Sequence, residues 1–344
     1  MNNPWWRWGA VLWLCLSVSG CNRKNADDLW QDYLSRLETV LQQDTQLNDV
    51  NTIQFHPAKL PAPRFTENVG LLDIIKLDRC HLGSVVSAHN SGLGRVAPPS
   101  QLFAYHVSYM QLAPECITQL ATAYPKLADV LTQSLQSKRA TALQMFRFML
   151  TNDESLRASL FAGEQSLSLP SATAGLTETG AALAVLRGIQ QDLLTGSYSD
   201  ITLNELEPAL EMLHHQHILR GYLAGARDSL NYLRRVNHLL AQAVGSNHCI
   251  NGRNNQQQMI LATVFRKYFL PGPQAYLSKL RQIQLSLGPS LRALYQDTPY
   301  QSLVDYYFDD TALDGLYLDM RQEIQRHVAW WQALQDSCQG ILTP

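Results

Sequence analysis

"DTALDGLYLDMRQEIQRHVAWWQALQDSCQG", residues 310–340, is the stretch on which the fold class turns. Leu313, Tyr317, Met320, Ile324, Val328, Trp331, Leu334 and Cys338 recur every three or four positions, with polar residues between them. A half-buried strand would alternate with period two, whereas this spacing stacks side chains on one face of a helix. Asp310 is the expected N-cap, since its carboxylate can accept an otherwise unpaired backbone N–H of the first turn. Gly340 is the expected stop, because a residue without Cβ enters the left-handed region without strain.

The same period runs outward through the chain. Leu29, Tyr33, Leu34, Leu37, Val40 and Leu41 make a stripe near the start, and Pro57, Pro61 and Pro63 then mark an extended connector. Further helices are expected at 69–77, 100–112, 114–122, 126–150 and 177–194. Glu205 to Val244 reads as one long helix, with Leu206, Leu210, Leu213, Leu223, Ala226, Leu230, Leu233 and Leu240 on related faces. Asn204 and Glu207 have the spacing of a capping box at its start. Two more segments, 255–268 and 273–295, are separated and interrupted by Pro271, Pro273 and Pro289. Period-two strands are scarce. The expected fold is all-α, an elongated multi-helix bundle of long antiparallel helices with an irregular Gly/Pro loop region.

That loop region is "NSGLGRVAPPSQ", residues 90–101. Its Gly92-Leu93-Gly94-Arg95-Val96-Ala97 fits the letters of a dinucleotide fingerprint. A fingerprint follows a strand and opens a helix whose N–H groups meet the pyrophosphate. Here Gly83 to Ser87 is barely a strand, and Pro98 and Pro99 fall where the helix should already run. Nucleotide binding is therefore not expected. Gly92 and Gly94 instead permit positive φ, the two prolines hold an extended approach, and Ser100 caps the next helix. Asn90, Ser91, Arg95 and Gln101 supply the polar side chains of a candidate recognition surface on this loop.

Residues 1–20, MNNPWWRWGAVLWLCLSVSG, carry one basic residue, Arg7, then an apolar run from Trp8 to Val18. That run has the length of a signal-peptide core and is too short to span a bilayer. Val18-Ser19-Gly20-Cys21 resembles the lipobox of bacterial lipoproteins, which implies removal of residues 1–20 and acylation of Cys21. Asn22 stands where an Asp would signal inner-membrane retention. The resemblance thus implies an outer-membrane address facing the periplasm, with the lipid bilayer as a partner through acylated Cys21. Residues 21–344 form the expected mature helical domain, with a point of subdivision near 165–176.

In an oxidising compartment the cysteines left after Cys15 and Cys21, namely Cys80, Cys116, Cys249 and Cys338, are candidates for disulfides. Four cysteines allow three pairings. Local pairing, Cys80 with Cys116 and Cys249 with Cys338, is expected; four buried thiols are the alternative.

The loop also carries a family resemblance. Residues 90–101, with Leu71-Leu72-Asp73-Ile74-Ile75 before Cys80 and Leu112-Ala113-Pro114-Glu115-Cys116 after, resemble an uncharacterised lipoprotein family of Gram-negative bacteria. It is the domain-of-unknown-function family numbered three thousand and eighty. The resemblance is strongest over residues 66–118. It implies an exported lipoprotein of similar length and brings no activity, substrate or catalytic residue.

Composition excludes some classes. The formal charge is −2 and only 16% of residues are charged, so there is no basic surplus for nucleic acid. No cofactor motif is present and no cofactor is expected. Glu211, His214 and His217 are a candidate metal set, because the E-x-x-H spacing shares a helix face, as in di-iron bundles. Such a site needs a second set, and the nearest is Glu323 with His327, spaced four rather than three. Gly221 and Gly225 predict a close packing contact rather than membrane dimerisation, because Arg220 and Arg227 flank them. The function expected first is binding of an envelope protein or cell-wall component through the helical surface. A metal- or small-ligand-binding bundle comes second and an envelope hydrolase third.

Overall fold

The computed structural model describes residues 24–45, 55–64, 71–77, 79–160, 165–169, 171–243, 245–250, 252–253 and 255–342. The expected signal segment, residues 1–20, and Cys21 lie outside the described residues. The fold is all-α. Helix α1 is Ala26–Leu41, followed by α2 Leu71–Leu77, α3 Leu82–Asn90, α4 Pro99–Leu120, α5 Pro125–Ala140, α6 Ala142–Asn152 and α7 Glu154–Leu160. Then come α8 Leu176–Thr195, α9 Leu206–His215, α10 Ile218–Gln242, α11 Gln256–Val264, a π-helical segment Phe265–Gln274, α12 Ala275–Tyr295, α13 Gln301–Phe308 and α14 Leu316–Ser337.

Local chemistry explains several ends. Asn25 starts α1 with a reciprocal capping box: its side chain accepts from the Asp28 backbone N–H while the Asp28 carboxylate accepts from its own N–H. Asn255 and Gln258 do the same for α11, in a tract that reads as merely polar in sequence. The box expected at Asn204 and Glu207 does not form. A 3-10 turn, Leu203–Glu205, leads into α9 without a side-chain cap. Nor does Asp310 cap α14, which begins at Leu316 after Gly315, with φ +134°.

Other boundaries depart from the expected ones in both directions. The helix expected over 205–244 is broken at Gln216, whose backbone is extended, so α9 and α10 are separate. The apolar spacing slips there, five residues from Leu213 to Ile218, and one straight helix cannot bury both stripes. The helix expected over 126–150 is likewise split, at Thr141. Conversely, 100–112 and 114–122 fuse into α4 with Pro114 inside it. The segments 255–268 and 273–295 also run together, because the wide π turn accommodates Pro271 and Pro273, which lack an N–H to donate.

Helix α10 packs on α14 and on α1; α4 packs on α5 and α6; α12 packs on α8 and α13. One buried cluster takes residues from Ala26 to Cys338. The stretch near 165–176 lies against the start of α1: Leu169 N–H donates to the Lys24 carbonyl at 3.0 Å, and Ala26 N–H donates to Ser166 Oγ at 3.0 Å. Gly221 makes room for this stretch, and Gly225 for both this stretch and Tyr276 of α12, the close packing contact expected there. A Cβ on Gly221 would meet the Leu167 side chain, and one on Gly225 the Tyr276 hydroxyl and Ser166. Cys80 and Cys116 are disulfide-bonded with Cα atoms 5.4 Å apart, and Cys249 and Cys338 with Cα atoms 5.2 Å apart, both within the usual disulfide range.

Candidate functional site

The loop of residues 90–101 is short and tied by its own hydrogen bonds. Helix α3 ends at Asn90, so Gly83 to Ser87 is helical rather than extended. Ser91 Oγ donates to the Ala88 carbonyl at 2.7 Å and accepts the Gly94 N–H at 3.1 Å, which closes the turn. A 3-10 turn, Gly94–Val96, follows, and Ala97 and Pro98 are extended. Neither Gly92 nor Gly94 takes positive φ. Gly94 is required for space, because a Cβ there would fall on the His89 and Ala88 carbonyl oxygens. Ser100 is not the cap; Pro98 holds that position, Pro99 starts α4, where a missing N–H costs nothing, and Ser100 is buried.

Among the four recognition candidates, Ser91 has its hydroxyl engaged inside the loop, while Asn90, Arg95 and Gln101 are exposed. Leu93 and Val96 stand beside Arg95 at 84% and 78% exposure. The loop thus presents two apolar side chains and a guanidinium to solvent.

Pro98, Pro99 and Ser100 also line an open groove of about 780 Å³, shared with Lys59, the end of α6, α7 and the start of α9. Asn152 ties its rim together, donating to the Leu60 carbonyl at 3.0 Å and the Phe148 carbonyl at 2.8 Å. Asp153 Oδ1 accepts the Ser155 N–H at 3.1 Å and so starts α7. Arg157 is braced by the Thr151 carbonyl and the Tyr300 hydroxyl. Glu154 and Glu207 add carboxylates to the lining, opposite in charge to Lys59 and Arg157. The groove offers donors and acceptors of both charges to an extended polar ligand. Pro98, Pro99 and Ser100 belong to the loop motif, but Lys59, Asn152, Asp153, Glu154 and Arg157 belong to none, which is why the sequence does not single out the groove.

The metal candidates are not brought together. Glu211, His214 and His217 are exposed, and the break at Gln216 takes His217 off the helix that carries the other two. Glu211 pairs with His215 at 3.9 Å, and His217 lies against Arg220. Among the described residues no group of three metal-capable side chains converges. Glu323 and His327 are buried instead in a hydrogen-bonded network. Asn237 Nδ2 donates to Glu323 Oε2 at 2.8 Å, and Asn237 Oδ1 faces His327 Nδ1 at 3.2 Å. Trp331 Nε1 donates to His327 Nε2 at 3.1 Å, and the Tyr33 hydroxyl approaches the same nitrogen. Burial holds the His327 imidazole at a pKa of about 3, and Arg326 and Arg234 compensate Glu323.

A second concavity of about 240 Å³ lies between α10, α12 and α14. Its walls are mostly apolar: Ala226, Leu277, Leu280, Leu316, Met320 and Ile324, with Tyr222 among them. Tyr222 is satisfied, since its hydroxyl donates to the Tyr307 carbonyl at 2.9 Å. Arg281, Gln284 and Arg321 supply the polar lining. None was singled out from the sequence. A signal was present in Gln284, which sits inside the apolar stripe Leu280, Ile283, Leu287 and Leu291.

Residues 30–341 match the family described as "Protein of unknown function (DUF3080)". Comparison with curated proteins and with solved structures finds no match.

Proposed function

The chain belongs to the DUF3080 family, whose function is unknown, and from its own residues we propose an envelope lipoprotein of a Gram-negative bacterium. It is anchored in the outer membrane through acylated Cys21, faces the periplasm, and binds an envelope protein or cell-wall component. The observation that carries the binding reading is the exposed Leu93, Arg95 and Val96 on a hydrogen-bonded loop whose Pro98, Pro99 and Ser100 continue into the polar groove. Glycine, proline and the Ser91 bonds order that backbone beforehand, so little entropy is lost on binding. Two disulfides suit an oxidising compartment, and the Val18-Ser19-Gly20-Cys21 box supplies the address.

The test has two arms. Cys21→Ser is expected to abolish lipid labelling and leave uncleaved or soluble protein; a variant that matures and fractionates with the outer membrane overturns the anchor. Crosslinking from intact envelopes, with the photoreactive group at Gln101, is expected to capture a partner whose yield falls in Arg95→Ala at unchanged melting temperature. A large drop in melting temperature, with capture per folded molecule intact, assigns Arg95 to the scaffold and overturns the loop as a recognition surface.

A further inference from the structure

We infer that the cavity between α10, α12 and α14 binds a single-chain anionic amphiphile. The chain would lie against Ala226, Leu280, Leu316 and Met320, and the head would sit at Arg281 and Arg321. Three independent features lead there. The first is size: about 240 Å³ falls below the roughly 300–1,000 Å³ of sites for drug-sized ligands, which suits one short chain and not a two-chain lipid.

The second feature is an unanswered donor. Gln284 is 5% exposed, and its Oε1 accepts from Arg281 Nη1 at 2.7 Å. That bond fixes which end of the amide is which. Nε2 is thereby left buried without an acceptor among the described residues, in a mostly apolar lining. Most buried side-chain polar atoms are paired, so an unpaired amide N–H beside a cavity points to a ligand oxygen.

The third feature is charge. The Arg281 guanidinium stacks on the Tyr317 ring, 4.5 Å from its centroid, and Asp310 holds its other nitrogen at 3.3 Å. It is therefore ordered but only partly compensated. Arg321 has no ion-pair partner among the described residues. Two guanidinium groups and one amide N–H at the polar side of an apolar cavity complement a carboxylate or phosphate carried on a hydrocarbon chain. This inference uses a different face of the molecule from the loop and groove, and it stands whether or not those bind a partner.

The probe is decanoate, titrated into the full purified chain by calorimetry, with decyl phosphate, decanol and inorganic phosphate alongside. Saturable one-to-one binding of decanoate is expected, with decyl phosphate also binding and decanol weaker by about ten-fold, the usual loss of a charge-assisted pair. Arg281→Ala and Arg321→Ala are each expected to weaken decanoate to a similar extent. Gln284→Met is expected to raise the melting temperature of the unliganded protein, because the unpaired amide is gone, while weakening decanoate. Met320→Trp and Leu277→Phe fill the cavity and are expected to abolish binding in a folded chain. Absence of saturable decanoate binding overturns the inference. So does decanol binding as tightly as decanoate, or inorganic phosphate binding as tightly as decyl phosphate. Retention of decanoate binding by both folded filling variants overturns it as well.

Discussion

His327 is 1% exposed and accepts a hydrogen bond from the Trp331 indole. An indole N–H only donates, so Nε2 is the acceptor and the ring proton sits on Nδ1, toward Asn237. The imidazole must stay neutral to keep both bonds, and burial lowers its pKa from 6.5 to about 3. His106 is a second case: burial first, then the nearby Lys138 charge, brings it to about 4, while its Nε2 donates to the Lys138 carbonyl at 2.8 Å. In the unfolded chain both rings take up a proton near pH 6.5. Their contribution to stability is therefore complete above that value. It is lost as pH falls through the window down to 4 and then 3, at up to about 1.4 kcal/mol per pH unit for each ring. Urea melts between pH 7 and 4 are expected to show this steepening loss. In His327→Leu the slope should become shallower while stability at pH 7 falls by roughly 1–3 kcal/mol, because the Trp331 N–H is left unpaired. An unchanged slope would remove His327 from the account. Glu323 and His327 were visible in the sequence as a charged pair at helical spacing. Their burial was not, because it depends on Asn237 of α10 and Tyr33 of α1 converging from elsewhere in the chain.

At the scale of the element, α14 shows both what periodicity reveals and what it misses. The helix exists where the apolar repeat places it, yet the buried side is Leu316, Glu323, His327, Trp331 and Leu334, while Leu313 is 93% and Val328 40% exposed. The helix is turned relative to its apolar stripe because the polar network occupies part of the inward face. Hydrophobic spacing cannot report a satisfied polar group in a core. The same limit explains the fused and split helices: a proline reads as a stop until a π turn accommodates it, and a phase slip at Gln216 is easily averaged over forty residues. Helix glycines give a sharper test. Gly188 in α8 is exposed with nothing near its missing Cβ, so Gly188→Ala should add ~0.5–1 kcal/mol from backbone propensity alone. Gly225 in α10 faces the Tyr276 hydroxyl and Ser166, so Gly225→Ala should lower the melting temperature despite the same propensity gain. If both substitutions stabilise, Tyr276 and Ser166 do not seat on α10 as described.

For the whole molecule, the helical class and the pairing of the cysteines were legible in the sequence. The cavity and the groove were not: Tyr317, Met320 and Ile324 stand in the opening repeat and Pro98 to Ser100 in the loop motif, but the segments that complete each lining lie far away in the chain. The two disulfides close very different loops, with sequence separations of 36 for Cys80–Cys116 and 89 for Cys249–Cys338. In the chain-entropy picture the longer loop constrains the unfolded state by about 4.6 kcal/mol and the shorter by about 3.8 kcal/mol. Their positions differ more than those figures do. Cys80–Cys116 ties the turn before α3 to α4 and encloses the loop of residues 90–101. Cys249–Cys338 joins the segment after α10 to the end of α14, next to the Cys249 N–H bond to Ser337 Oγ at 2.7 Å, and so ties together two of the three helices that flank the cavity. Replacing Cys249 and Cys338 together by alanine is therefore expected to lower stability more than replacing Cys80 and Cys116, and to weaken decanoate binding. The Cys80 and Cys116 double variant should instead spare decanoate and reduce crosslinking from the loop. Chemical denaturation and calorimetry on the two double variants decide the matter. Equal losses of both ligands in both variants would mean that the disulfides act only on global stability and that neither site depends on its own bridge.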